Sequence, residues 1–223
     1  MRPLASLRAF ALVGAATFLA ACAGAPLTPG IFLDQPRPGD TAVVGPLRDI
    51  NTDGYDLTKL SEGFKPRLYL DAASYCSIAY GHLVVRRPCD GSEPENFRNG
   101  LTQPKGETLL VTDMTLARRS VILTLRDPSG LNDDQFAALC DFVYNVGGDH
   151  FRTSTLRQVI DQGRLSEVPV QMRRWIWAGA KPLDGLVTRR KREIALFFKG
   201  QTIPVPRPGD QAPTPIDITQ GEQ

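Results

Sequence analysis

Residues 132–148 read as one helix bounded at both ends, and that element constrains the fold more than any other. Asn132 with Gln135 three residues later is close to a capping box. Phe136, Leu139, Cys140 and Val143 recur at helical spacing, and Gly147-Gly148 closes the run. This helix is expected to be the spine of the core. A mixed helix follows a cap at Thr112 or Asp113, carries Met114, Val121, Ile122 and Leu125, and ends at Asp127-Pro128-Ser129-Gly130. A short one starts at Thr153-Ser154-Thr155 with Leu156, Val159 and Ile160 inward and stops at Gly163. Another opens at Pro169, includes Met172 and ends near Gly179. A last helix over Leu186 to Phe198 sets Ile194 and Phe197 against the core. Trp175 and Trp177 read as core and cleft wall. Between His82 and Leu110, Pro88, Asp90-Gly91, Pro94, Asn99-Gly100 and Pro104 give a loop-rich reading.

With 223 residues and 42% hydrophobic composition, the chain can bury one core, giving one domain with tails. Residues 1–21 have the shape of a secretory signal, with Arg2 and Arg8 ahead of an apolar run from Ala9 to Ala21 that is short for a bilayer span. The run closes on Leu19-Ala20-Ala21-Cys22, which looks like the lipobox of bacterial lipoproteins, with Cys22 as the acylated mature N-terminus. An ordinary cleaved signal is the other reading. A retained signal-anchor fits less well with that cysteine. Residues 22–51, rich in Pro and Gly, read as a tether reaching roughly 30 Å as a flexible coil. Residues 52–199 form the expected folded domain, and 200–223 an unstructured Pro-rich tail. The net charge of +2 argues for neither nucleic acid nor membrane-surface adsorption. Arg86-Arg87 and Arg189-Arg190-Lys191-Arg192 are either local sites for an anionic polymer or solvated faces. Export permits disulfides. Cys140 sits on an apolar helix position, so Cys76 and Cys89 remain as the pair, bracing the strand that holds Ser77 from behind.

Ser61 to Leu83, SEGFKPRLYLDAASYCSIAYGHL, places Glu62, Asp71 and Ser77 in close succession. A short helix capped by Thr52 or Asp53 and carrying Leu57 and Leu60 stops at Gly63, so Glu62 sits at its exit. Arg67 to Asp71 and Tyr75 to Tyr80 alternate as a hairpin around Ala72-Ala73-Ser74. Side chains two apart share a strand face, so Ser77 lies with Tyr75 and Ala79, away from Cys76, Ile78 and Tyr80. Packed against the helix end, this hairpin can turn Asp71 and Ser77 toward Glu62. Two carboxyl groups flanking a gap are the minimum equipment for hydrolysing a glycosidic bond: one protonates the leaving oxygen, the other orients water or stabilises positive charge on the sugar. Spacing alone favours two solvated surface acids.

Glutamate, eight residues, aspartate, five residues, a hydroxyl, then Gly81-His82 resembles the catalytic stretch of phage-type lysozymes, glycoside hydrolase family 24. FVYNVG (142–147), FRTSTL (151–156), WIWAGAK (175–181) and GLVTRR (185–190) are similar to the family's later segments, in that order. The resemblance covers roughly Thr52 to Lys199 and is poorest from Val84 to Leu110. It implies a mostly helical α+β fold with a small β-hairpin lobe beside a cleft, and no cofactor. It also implies a monomer that cleaves the β-1,4 bond between N-acetylmuramic acid and N-acetylglucosamine in peptidoglycan strands. Glu62 takes the general-acid role, with burial beside Leu60 and Phe64 to keep its proton. Asp71 positions water or stabilises an oxocarbenium-like transition state. Ser77 stands where the family usually has threonine. It keeps a hydroxyl that can hold the attacking water but lacks the methyl that limits rotamers. A wall-binding lipoprotein that kept the fold and lost catalysis is therefore the alternative. Arg189 matches an arginine that approaches the glutamate, a cation that opposes the acid role. Asn145 matches a cleft residue, or caps its helix. The two histidines, His82 and His150, lack a second ligand at metal spacing and read as structural, and no Gly-x-Ser-x-Gly elbow or phosphate-binding loop is present. A lytic transglycosylase has no need of Asp71 and Ser77. Ala23 after Cys22 favours a periplasm-facing place on the outer membrane.

Overall fold

A computed structural model describes residues 47–71, 74–179, 181–205 and 214–222. The expected signal, Cys22, the tether to residue 46 and two residues of the hairpin turn lie outside the described residues. In chain order the elements are α1 (Thr52–Glu62), β1 (Lys65–Leu70), β2 (Cys76–Ala79), β3 (His82–Val85), α2 (Glu95–Arg98), α3 (Gln103–Thr124), α4 (Asp133–Val146), α5 (Gly148–Thr153), α6 (Thr155–Asp161), α7 (Val168–Arg173), β4 (Trp177–Ala178), β5 (Lys181–Pro182) and α8 (Asp184–Phe197). Among the described residues the chain is mostly helical, with an antiparallel sheet in the order β1-β2-β3 and a two-stranded β4-β5.

α4 is the spine. Asn132 accepts from the Gln135 amide while Gln135 returns a side-chain bond to Asn132, and every residue from Gln135 to Tyr144 is buried. α1, α3 and α8 pack around it. Phe142 meets Trp175 and Phe151 edge-on, at ring separations of 5.6 and 6.3 Å. Enclosing each such aromatic stabilises the fold by about 2 to 3 kcal/mol. Trp175 is wholly core, as expected, whereas Trp177 belongs to β4.

α1 begins one residue earlier than expected, capped by Asn51, whose side chain accepts from the Gly54 amide at 3.0 Å. Residues 47–51 belong to the domain rather than to the tether. Arg118 donates to the carbonyls of Leu47 and Arg48, each at 2.8 Å, Arg48 pairs with Asp133 and covers the Phe136 ring, and Ile50 is buried. Gly54 lets α1 approach α4. A Cβ there would stand 2.4 Å from Ile50 and 2.7 Å from Ala137.

Between His82 and Leu110 the structure departs from the loop-rich reading. β3 pairs with β2, Ser77 opposite Leu83, and α3 starts at Gln103, well before the expected cap at Thr112 or Asp113. Pro104 lies in the first turn of α3, where a missing N–H costs nothing, so it opens a helix instead of marking a loop. Cys76 and Cys89 are bonded, and Cys140 is free and buried. With a sequence separation of 13, the bridge contributes about 3 kcal/mol on the loop-entropy account.

The tail is not unstructured throughout. Ile216 donates to the Arg174 carbonyl at 2.8 Å, Ile218 donates to that of Trp177 at 2.9 Å, and Asp217 bridges Trp177 in parallel. Ile216 and Ile218 are buried on either side of Asp217, an alternation hidden in the sequence by the surrounding prolines. Glu222 then accepts from the Thr155 amide and hydroxyl, both at 2.6 Å, and from Arg174 at 2.5 Å.

Candidate active site

Glu62 is the last residue of α1. Gly63 follows at φ +69°, a conformation costly for other residues, and turns the chain into β1. Oε1 of Glu62 accepts from Arg189 Nη1 at 2.6 Å, and a quarter of the side chain is exposed. Gly81, at φ +87° in the turn between β2 and β3, lies beside the other oxygen. A Cβ there would stand 3.6 Å from Oε2. Leu60 does not shield the acid as expected. Two residues rotate a helix by about 200°, and Leu60 is turned out at 64% exposure. Phe64 packs on Tyr80, with ring centroids 5.4 Å apart. The wall behind Glu62 is completed by Tyr144, which donates to the Tyr80 carbonyl at 3.0 Å. Burial, then the charges of Asp113 and Glu62, push the Tyr144 phenol well up.

Asp71 and Ser77 are joined. Ser77 Oγ donates to Asp71 Oδ2 at 3.0 Å, and the Tyr75 amide donates to Oδ1 at 3.0 Å. Ser77 is fully buried, so its hydroxyl proton is committed to the carboxylate and the residue braces Asp71 from within the sheet. Tyr69 stands directly across from Ser77 and two residues before Asp71 on the same face. Its phenol is pushed up to about 12 by burial first, then by the negative charges of Glu62 and Asp71. The charges of both carboxylates thus act on this one side chain. Lys65 lies 4.0 Å above its ring. The alternation of β1 held the clue to Tyr69, through its two-residue spacing from Asp71.

Behind Glu62 lies a buried ionic cluster. Arg189, on α8, donates through Nε to Asp141 Oδ2 at 3.0 Å and through Nη2 to Oδ1 at 2.9 Å, and Thr58 Oγ1 donates to the same Oδ1 at 2.7 Å. Burial works against the Arg189 charge, yet Asp141 and Glu62 together hold its proton affinity above the ordinary arginine value. Arg190 Nη1 lies 3.0 Å from Glu193 Oε2, and its guanidinium covers the Phe142 ring at 4.7 Å. Arg190 also donates to Asn145 Oδ1. Asn145 is therefore tied to α8, and Gly147, not Asn145, caps α4. Asp141 and Glu193 carry no sequence expectation; an acid inside the apolar run of α4 was the available signal.

The histidines sit in structural settings. His82 Nδ1 lies 3.0 Å from Asp113, with its ring against Phe97, and His150 packs on Trp175. Burial pushes the Asp113 carboxyl up while His82 pulls it down. Cys76, Cys89 and Glu93 bring potential ligand atoms within 4.8 Å of one another, but both sulfurs are spent in the disulfide.

A family model described as phage lysozyme matches residues 59–193. A SAR-endolysin of Enterobacteria phage PA-2 is 36% identical over 135 residues, covering 59% of this chain and 79% of its own. Among solved structures, the muramidase domain of SpmX from Asticaccaulis excentricus aligns at a TM-score of 0.59 and 25% identity, over 68% of this chain and 99% of that one. A mutant of P22 lysozyme aligns at 0.57 and 27% identity, over 67% and 98%.

Proposed function

Because the chain belongs to the phage lysozyme family, we propose that it is a peptidoglycan hydrolase: a muramidase cleaving the β-1,4 bond between N-acetylmuramic acid and N-acetylglucosamine. The setting of Glu62 carries this proposal. Arg189 fixes one carboxyl oxygen, and the other meets the bare side of a glycine, so a protonated Oε2 is free to face a glycosidic oxygen. Glu62 gives its proton to the leaving oxygen as the bond to the sugar C1 breaks. A water oriented by Asp71 adds to C1 and passes a proton to that carboxylate, while the Asp71 charge stabilises the oxocarbenium-like transition state. Ser77 holds Asp71 in place through its hydroxyl.

Digestion of purified sacculi with mass analysis of the released sugars tests this. The expected products carry new reducing N-acetylmuramic acid ends. Anhydro-sugar ends would make the protein a transglycosylase, and binding to sacculi without release would make it the wall-binding alternative.

For the first residues we propose export, acylation at Cys22, and a tether running to the clamp that begins at Leu47. The lipobox-like Leu19-Ala20-Ala21-Cys22 supports this, with Ala23 favouring the outer membrane. The clamp lies at the start of α1, about 16 Å along that helix from Glu62, so the tether leaves from the end away from the acid. Cys22→Ala is expected to shift the protein from the membrane fraction to the soluble one. Retention in membranes would replace lipidation with a signal-anchor.

A further inference from the structure

A muramidase acid has to deliver a proton, and a guanidinium stands 2.6 Å from Glu62. The buried cluster contains what offsets that cation. Three carboxyl groups, Glu62, Asp141 and Glu193, meet two guanidiniums, Arg189 and Arg190. Asp141 and Glu193 have fully buried side chains, and Glu62 is the member that solvent reaches. Glu193 Oε2 lies 3.0 Å from Arg190 Nη1, and its Oε1 lies 3.5 Å from Arg189 Nε. Neither oxygen accepts a well-aligned hydrogen bond among the described residues, so the link of Glu193 to the two guanidiniums is one of charge.

We propose that Glu193 is a positioning residue for the general acid: its carboxylate balances Arg190 and draws on Arg189, leaving Glu62 only a share of the guanidinium that Asp141 already holds. This rests on the muramidase reading. Burial pushes the Glu193 carboxyl up, Arg190 pulls it down, and the Asp141 charge adds to the push. The ion pair prevails because an arginine does not give up its proton in a protein, and a buried guanidinium stripped of its counter-ion is costlier than an ionised carboxyl beside it. Two buried anions then match two buried cations, and a proton on Glu62 makes the cluster neutral.

The groups facing Glu193 can be followed element by element. α8 itself supplies Arg189 and Arg190. α4 supplies Asp141, Asn145 and the Phe142 ring, and α1 supplies Glu62 behind Arg189. The other α1 charges turn outward, with Asp53 on Lys199 and Asp56 on Lys59. From α7 and its end, Arg173 is exposed and Arg174 is held by Glu222.

Glu193→Gln removes the balancing charge and leaves the second guanidinium acting on Glu62. In the full-length protein acting on sacculi, the alkaline limb of the pH–rate profile, which follows loss of the acid's proton, is expected to fall by about one pH unit. Above the wild-type midpoint the rate drops about tenfold relative to wild type. Removing Arg190 as well, in the pair Arg190→Gln with Glu193→Gln, is expected to bring the midpoint back. A purely structural role would lower the unfolding midpoint and leave the limb where it was, and that result overturns the proposal. Should Glu193→Gln not fold, carboxyl-13C NMR of the wild-type protein decides: Glu193 is expected to be ionised at neutral pH, and a protonated Glu193 overturns the proposal. Full activity in Glu62→Gln would instead sink the muramidase mechanism itself, a failure distinct from an unmoved limb.

Discussion

Glu62→Gln is expected to cut the release of reducing ends from sacculi by at least about a thousandfold, within the range general acid catalysis contributes. The amide has the size of the carboxyl and its oxygen can still accept from Arg189 Nη1, so the side chain should keep its place. What disappears is the transferable proton. Arg189 retains both of its bonds to the Asp141 carboxylate, so the fold is expected to lose no more than about 1 kcal/mol, the worth of one hydrogen bond. Loss of activity with an unchanged urea midpoint would therefore report on chemistry alone. A variant within tenfold of wild type would remove Glu62 from the acid role.

The largest stability effect is expected at Asp141→Ala, at about 3 to 5 kcal/mol, the cost of removing one partner of a buried ion pair. Asp141 accepts two bonds from Arg189 and one from Thr58 with no solvent to take its place. Its loss leaves Arg189 leaning on Glu62 and the more distant Glu193, so activity should fall along with stability. Asp141→Asn keeps an oxygen for Thr58 and is expected to cost less. Against a domain stability of about 5 to 15 kcal/mol, the alanine variant would sit near the edge of folding. Urea unfolding measures it, and a loss below about 1 kcal/mol would show that the cluster is not what holds α8 to α4.

The spine helix was legible because cap, apolar period and terminal glycines all agreed. The start of α3 was not, because Pro104 and Gly106 resemble loop residues. Gly106 is there for packing: a Cβ would come within 2.6 Å of the Phe64 ring and 3.1 Å of Ala79. β3 escaped notice since its four residues, with the middle two buried, show no alternation. Around the site, the local pair Asp71 and Ser77 could be read from strand spacing, with their hydrogen bond following from the pleat. The contact of Glu62 with Arg189 spans 127 positions and was accessible only through family resemblance. Asp141 was passed over because helical periodicity counts apolar positions, and a single buried acid leaves that count intact. Its partner, 48 residues on, supplies the reason for it.

The docking of Ile216, Ile218 and Glu222 onto Arg174, Trp177 and Thr155 means that a segment well beyond the last helix completes contacts of the interior. A domain cut short after α8 would therefore be expected to lose the bridge to Trp177 and the ion pair on Arg174 that this segment supplies. Bulk added directly after Glu222 would crowd the carboxylate seated at the start of α6.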